Sequence, residues 1–224
     1  SKLPSVGTTI FTKMSALAAE KGAINLSQGF PDFPPDARLL ARASTAILTG
    51  NNQYSPMTGL PMLRDAIVQL VERHYGRIVS SQDEITVTSG ASEAIFDAIA
   101  ALIRDGDEVV LFDPAYDLYE PAVTLAGGVC KRVTLTAPDF RPDWQAFASL
   151  LTDQTRLVII NTPHNPTGSC WQAADLESLW QAIASRDIYV LSDEVYEFIH
   201  FGESAVSVHK HAGLSTRSLV VSSF

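Results

Sequence analysis

The feature that most constrains this chain is an alternation of texture beginning near residue 84. Six short runs rich in β-branched residues, at 84–88, 108–112, 129–135, 156–161, 188–192 and 218–222, are set far apart. Helical patterns fill most of the intervals, notably 91–103, 116–126, 144–151 and 172–185. Strand and helix in turn predict an α/β fold, a mainly parallel sheet with helices on both faces, because parallel neighbours need a crossover long enough to hold a helix. The unbroken apolar stretches Val109-Val110-Leu111-Phe112 and Leu157-Val158-Ile159-Ile160 suit strands buried on both sides. Ligands of such sheets bind beyond the carboxyl ends of the strands, so the residues after each strand carry the functional information.

Ahead of the sheet, the chain to about residue 35 is rich in Pro and Gly around a short amphipathic helix at 10–20. Helical patterns follow at 36–49 and 60–75, the second closing at Gly76, where a left-handed C-cap is natural. With 224 residues, 46% apolar and 18% charged, the chain is globular in composition. No window approaches the ~20 apolar residues of a membrane span, and the first residues lack the apolar core of a signal peptide. Sixteen basic against twenty-five acidic residues give a net charge of −9 with no basic cluster, which argues against nucleic acid as a partner. Cys130 and Cys170 form neither a disulfide framework nor a metal spacing, and read as packed thiols of a soluble, cytoplasmic protein.

Four strand ends carry candidate chemistry. After the first run, Thr88-Ser89-Gly90-Ala91-Ser92-Glu93 opens a helix, and small residues there can present free N–H groups to a phosphate. A turn of this kind is more often only a helix cap. Asp113-Pro114-Ala115-Tyr116 sets an aromatic near that rim, either to stack on a planar heterocycle or to pack beneath a loop. Asn161-Thr162-Pro163-His164-Asn165-Pro166-Thr167-Gly168 is stiffened by two prolines and can aim the Asn165 amide at a ligand, with His164 a bystander. Finally, Asp193-Glu194-Val195-Tyr196 ends a buried strand on a carboxylate, which needs a cation or several donors. A protonated pyridine nitrogen meets that need, and Tyr196 could donate to a neighbouring ring oxygen. Glu194, Glu197 and His200 are spaced as metal ligands could be, but no open-site motif accompanies them, so they are read as a solvated acidic face and no metal is expected.

Taken in order, these segments resemble the class I/II aminotransferases of fold type I, which use pyridoxal 5'-phosphate. The resemblance rests on Asn25-Leu26-Ser27-Gln28-Gly29-Phe30-Pro31-Asp32-Phe33, Asn52-Gln53-Tyr54, residues 88–94, Gly106-Asp107-Glu108-Val109, Asp113-Pro114-Ala115-Tyr116-Asp117, residues 161–168 and Ser192-Asp193-Glu194-Val195-Tyr196-Glu197. The segment at 25–33 points to the branch containing kynurenine aminotransferase, glutamine transaminase K and bacterial methionine aminotransferase. What the resemblance implies is a role for each matching residue. Gly90, Ala91, Ser92 and Ser223 would bind the phosphate, with Tyr54 reaching the phosphate of the other subunit of a homodimer. Tyr116 would stack on the ring, Asn165 and Tyr196 would hold its hydroxyl oxygen, and Asp193 would pair with its nitrogen. Beside that cation Asp193 is expected to have a depressed pKa. Gly29 and Asn165 would meet the substrate, and Asp193 and Tyr196 are the catalytic candidates. Residues 1–40 correspond to the family's N-terminal arm and a segment of its small domain, and residues 41–224 to an incomplete large cofactor-binding domain.

The implied reaction moves an amino group from an amino acid (methionine, glutamine, aromatic or kynurenine-like) to a 2-oxo acid. The family's cofactor-binding lysine falls two residues past Phe224, and its substrate-clamping arginine and one antiparallel strand are not in this sequence. This chain alone is therefore expected not to transaminate. A cysteine-conjugate or cystathionine β-lyase on the same scaffold is an alternative, as is a truncated, non-catalytic fragment.

Overall fold

A computed structural model describes residues 2–4, 6–29, 31, 33–202 and 206–224. Phe30 and Asp32 of the motif at 25–33 lie outside the described residues. The chain divides into two compact units, Pro4–Met57 and a larger one of Thr58–Phe224 together with residues 1–3. Residues 40 and 41 both lie inside the helix Ala37–Leu48.

The N-terminal unit holds α1 (Ile10–Lys21) and α2 (Ala37–Leu48). Thr9 caps α1 by accepting from the Thr12 N–H at 3.3 Å, and Gly22, at φ +58°, closes it. Asp36 caps α2 through the Arg38 N–H at 2.8 Å. Neither helix buries a residue, and Ile10, Met14, Leu17, Leu39, Leu40, Ile47 and Leu48 are exposed. These helices have caps but no core of their own.

The larger unit opens with α3 (Pro61–Tyr75) and α4 (Ala91–Leu102). Gly76 ends α3 in the left-handed conformation expected of it, φ +70°, its N–H bonded to the Glu72 carbonyl. Then follow β1 (Glu108–Asp113), α5 (Tyr119–Leu125), β2 (Val129–Thr134), α6 (Trp144–Leu150), β3 (Thr155–Asn161), α7 (Ala173–Ile183), β4 (Tyr189–Asp193), α8 (Ala212–Ser215) and β5 (Ser218–Val221). A single 3-10 turn, Val208–Lys210, precedes α8. The five strands lie in the order β2-β1-β3-β4-β5, all parallel.

Alternation along each strand divides the core. Val110 and Phe112 face one side with Val158 and Ile160, packing on Phe147 of α6, Leu176, Leu179 and Ile183 of α7 and Leu214 of α8. Val109 and Leu111 face the other with Leu157 and Ile159, against Ile95 and Ile99 of α4 and Tyr119 and Val123 of α5. Each such aliphatic, fully buried, contributes about 1.5–3 kcal/mol. The crossover from β1 to β2 passes over the α5 face and the later ones over the α6–α8 face, as right-handed connections require. Strand order therefore reverses between β1 and β3, and crevices for ligands open at the carboxyl ends beside such a reversal.

One expected strand is not formed. Residues 85–88 form no regular element and join no ladder; only the Val87 N–H reaches another segment, at the Thr58 carbonyl, 3.1 Å. β-branched residues favour a pleated surface, yet a strand exists only where a neighbour takes its N–H and C=O groups. The five-stranded sheet, edged by β2 and β5, does not include this segment. The helix expected at 116–126 begins three residues late, at Tyr119, leaving Tyr116 in the loop after β1. No helix among the described residues is long and apolar enough to cross a membrane.

Candidate functional site

The carboxyl end of β4 organises the site. Residues 190–193 are all buried, and Asp193 pairs in register with Asn161 of β3 and Val221 of β5. Only 5% of Asp193 is exposed. Its Oδ2 accepts from the Tyr119 hydroxyl at 2.5 Å and its Oδ1 from the Val195 N–H at 3.3 Å. Both donors are neutral, and among the described residues no basic side chain pairs with this carboxylate. Burial accordingly pushes the Asp193 carboxyl up, with the bonds from Tyr119 and Val195 pulling it part of the way back. The depression expected beside a ring cation concerns the cofactor-bound protein; among the described residues the protein's own groups supply no such cation. Burial and the adjacent carboxylate hold the Tyr119 phenol far above its ordinary value, so it stays a donor at every working pH.

Two loops close on this carboxylate. Tyr116, half-buried after β1, meets Tyr119 edge-on, ring centroids 5.8 Å apart at 74°. After β3, the Asn161 side chain donates to the Asp193 main-chain carbonyl at 2.9 Å and accepts from the Asn165 N–H at 2.6 Å. Thr162 adds its N–H to the same carbonyl at 3.1 Å. His164 is buried and braces the loop, its Nδ1 2.7 Å from Thr167 Oγ1 and its carbonyl accepting from Gly168 N–H at 2.7 Å. The Asn165 side-chain amide, half-buried, has no hydrogen-bond partner among the described residues. It is free to meet a ligand.

The N-terminus of α4 supplies the third part. Gly90 precedes it at φ +81° and ψ 168°, a conformation open essentially to glycine alone. No side chain caps the helix, so the N–H groups of Ala91 and Ser92 are free among the described residues. An anion is favoured there by those donors and by the helix dipole. The Glu93 carboxylate, folded back onto the Ser89 N–H, opposes it in part. Ala91, Tyr116 and Val195 pack against one and the same core cluster, so this end of α4 and the ends of β1 and β4 share a face of the sheet.

The other expected residues make no hydrogen bond within this grouping among the described residues. Tyr196 is 37% exposed in the turn after β4, its carbonyl taken by the Ile199 N–H at 2.8 Å, and its hydroxyl is free among the described residues. Ser223 is exposed and unbonded among them; Ser222 instead donates to Glu197 at 2.5 Å, tying the end of β5 to the turn after β4. Gly29 and Tyr54 are exposed residues of the N-terminal unit. Glu194 is not part of a solvated face. It is 2% exposed and accepts from Ser192 Oγ at 2.7 Å and the Val208 N–H at 3.1 Å, so its carboxylate is committed inward. An open cleft of about 530 Å³ adjoins the site, lined by Pro163, His164, Cys170, Tyr196, Ile199 and His200 among others.

Two residues that hold the site together, Tyr119 and Asn161, were not singled out from sequence. Tyr119 reads as core on a helix, and Asn161 as the first residue of a turn. The one available signal was a hydroxyl and an amide at positions that the fold buries.

The model of the family described as aminotransferase class I and II matches residues 21–224. The methionine aminotransferase of Escherichia coli K12 is 56% identical over 225 residues, a match covering 100% of this chain and 58% of that protein. A crystal structure of an Escherichia coli protein identified as having methionine aminotransferase function superimposes with a TM-score of 0.97 over 100% of this chain and 59% of that one, at 56% identity. A probable N-succinyldiaminopimelate aminotransferase of Mycobacterium tuberculosis is 40% identical, over 100% of this chain and 57% of its own length. The chain thus spans somewhat over half the length of the relatives it matches.

Proposed function

The chain belongs to the class I and II aminotransferases, and from that premise we propose that the full-length protein transfers the amino group of methionine or a similar amino acid to a 2-oxo acid. Pyridoxal 5'-phosphate is the proposed cofactor, and the residues present fit it. The observation that carries this reading is Asp193: a buried carboxylate at a strand end, oriented by neutral donors and without a basic partner among the described residues. Such a group is stabilised by a protonated ring nitrogen. A charge-assisted bond of that kind contributes about 1.5–3 kcal/mol to binding, and more where charge develops during reaction.

When bound, the cofactor supplies a carbonyl that captures the amino group and a ring that withdraws electrons. The chain's part is to hold and orient. Asp193 keeps the proton on the ring nitrogen, and Tyr116 covers one ring face. Asn165 and Tyr196 donate to the ring oxygen, which fits their free polar groups. Gly90, Ala91 and Ser92 receive the phosphate at the start of α4, with Ser223 near the end of β5 as a further donor. Gly29 and Asn165 are proposed to meet the substrate carboxylate.

The N-terminal unit is proposed to supply the arm and first part of the small domain, and Tyr54 to serve the phosphate site of a second subunit in a cytoplasmic homodimer. Two helices that expose apolar rows and bury nothing support an assembly role. Methionine is favoured as donor by the identity to a methionine aminotransferase. The test incubates the full-length protein with pyridoxal 5'-phosphate, L-methionine and a 2-oxo acid, and follows both keto acid and free ammonia. Keto acid without ammonia, lost in Asp193→Ala, is the expected result. A parallel incubation with a cysteine S-conjugate, which unlike methionine carries its leaving group on the β carbon, would release stoichiometric ammonia from a β-lyase, and no product from either substrate would reject catalysis.

A further inference from the structure

The Asp193 carboxylate takes the Tyr119 hydroxyl proton at 2.5 Å and lies beside the Glu194 carboxylate, while Tyr116 and Tyr196 are near enough to act electrostatically on the Tyr119 phenol. Tyr119 is 3% exposed, in the first turn of α5, whose Ala122 and Val123 are pressed onto the sheet. Its ring is held edge-on by Tyr116. The hydroxyl therefore has little freedom to point elsewhere. We infer that Tyr119 is a positioning residue for Asp193: its hydroxyl fixes the carboxylate in one orientation and lets it carry its charge while buried under a ring cation. The inference rests on the reading of Asp193 as the partner of the cofactor's ring nitrogen.

Core packing alone does not ask for the oxygen. A phenylalanine fills the same space against Tyr116, Ala122 and the sheet, and leaves no buried donor to satisfy. What the hydroxyl adds is a bond in the short, charge-assisted range. A carboxylate has about four acceptor sites; Tyr119 and Val195 use one each, leaving capacity for a ring N–H. Asp193 is then a relay: Tyr119 grips one oxygen, and the charge is presented to the ring.

The test measures equilibrium affinity of the full-length protein for pyridoxal 5'-phosphate and for its analogue with C–H in place of the ring nitrogen. Tyr119→Phe is expected to weaken the cofactor about tenfold or more and the analogue less than about twofold. In an Asp193→Asn background it should have no further effect. Equal loss for both ligands, or loss for neither, overturns the inference. If wild type prefers the cofactor and Tyr119→Phe prefers it as strongly, only this inference falls. If wild type binds both equally, the role of Asp193 falls and this one with it. Should Tyr119→Phe not fold, 3-fluorotyrosine at 119, a stronger donor of nearly the same shape, is expected to sharpen the preference, and an unchanged preference overturns the inference.

Discussion

Asn161 bonds with both ends of its side-chain amide across the strand ends, donating to the Asp193 carbonyl at 2.9 Å and accepting from the Asn165 N–H at 2.6 Å. One side chain thereby sets the spacing between the loop bearing Asn165 and the strand bearing Asp193. Asn161→Ala leaves the Asn165 N–H without its acceptor, at a cost of about 1–3 kcal/mol. A thermal melt of the cofactor-free full-length protein should show a midpoint several degrees lower. Asn161→Asp keeps the acceptor, loses the donor and adds a buried charge, so it should be the more destabilising at pH 7.

Gly90 tests the phosphate end. Nothing lies within 4 Å of where a Cβ would sit, so Gly90→Ala meets backbone strain alone, at φ +81°. That strain costs on the order of 1–3 kcal/mol and turns the Ala91 and Ser92 N–H groups out of line. Titration should show weaker binding of pyridoxal 5'-phosphate with little change for pyridoxal, which lacks the phosphate.

Asp193 stands in tension with stability. Burial raises its carboxyl pKa above the unfolded value of about 3.9. The folded state therefore holds that proton more tightly than the unfolded state, and ionisation penalises folding as pH rises from the unfolded toward the folded pKa. Asp193→Asn should melt higher than wild type at pH 7 without cofactor, and the difference should shrink toward pH 3. Calorimetry across that range checks the sign.

A second titrating group sits apart from the site. Arg77 Nη1 lies 3.1 Å from His209 Nδ1, and since arginine only donates, that nitrogen must accept. His209 is thus neutral, its pKa pushed down to about 4 by burial and by the Arg77 charge. A histidine with a depressed folded pKa contributes stability that is present above its unfolded pKa, about 6.5, and lost as pH falls toward 4. The loss is expected to be on the order of 2–3 kcal/mol at most, and His209→Gln should flatten that part of the pH profile in urea unfolding.

Much of this fold could be read from residues alone. β1, β3 and β4 announce themselves because strands buried on both faces must be apolar throughout, as Val109–Phe112 and Leu157–Ile160 are. Asp193 was legible for the opposite reason, as a charge where such a strand ends. Residues 85–88 misled because β-branching records a preference, whereas a ladder needs a neighbour. The turn Val208–Lys210 and α8 were missed since three or four residues carry no period. Tyr119 and Glu194 escaped because burial decides their roles. A tyrosine on a helix and a glutamate after a strand look the same in sequence whether they face the core or water.

The proposed chemistry turns on a carboxylate that keeps a ring nitrogen protonated, and the most direct measurement is the ¹⁵N chemical shift of ring-labelled pyridoxal 5'-phosphate bound to the full-length protein. At neutral pH the shift should be that of a protonated pyridine in wild type and of a neutral one in Asp193→Ala. A neutral nitrogen in wild type, or a protonated one that persists without Asp193, would contradict it.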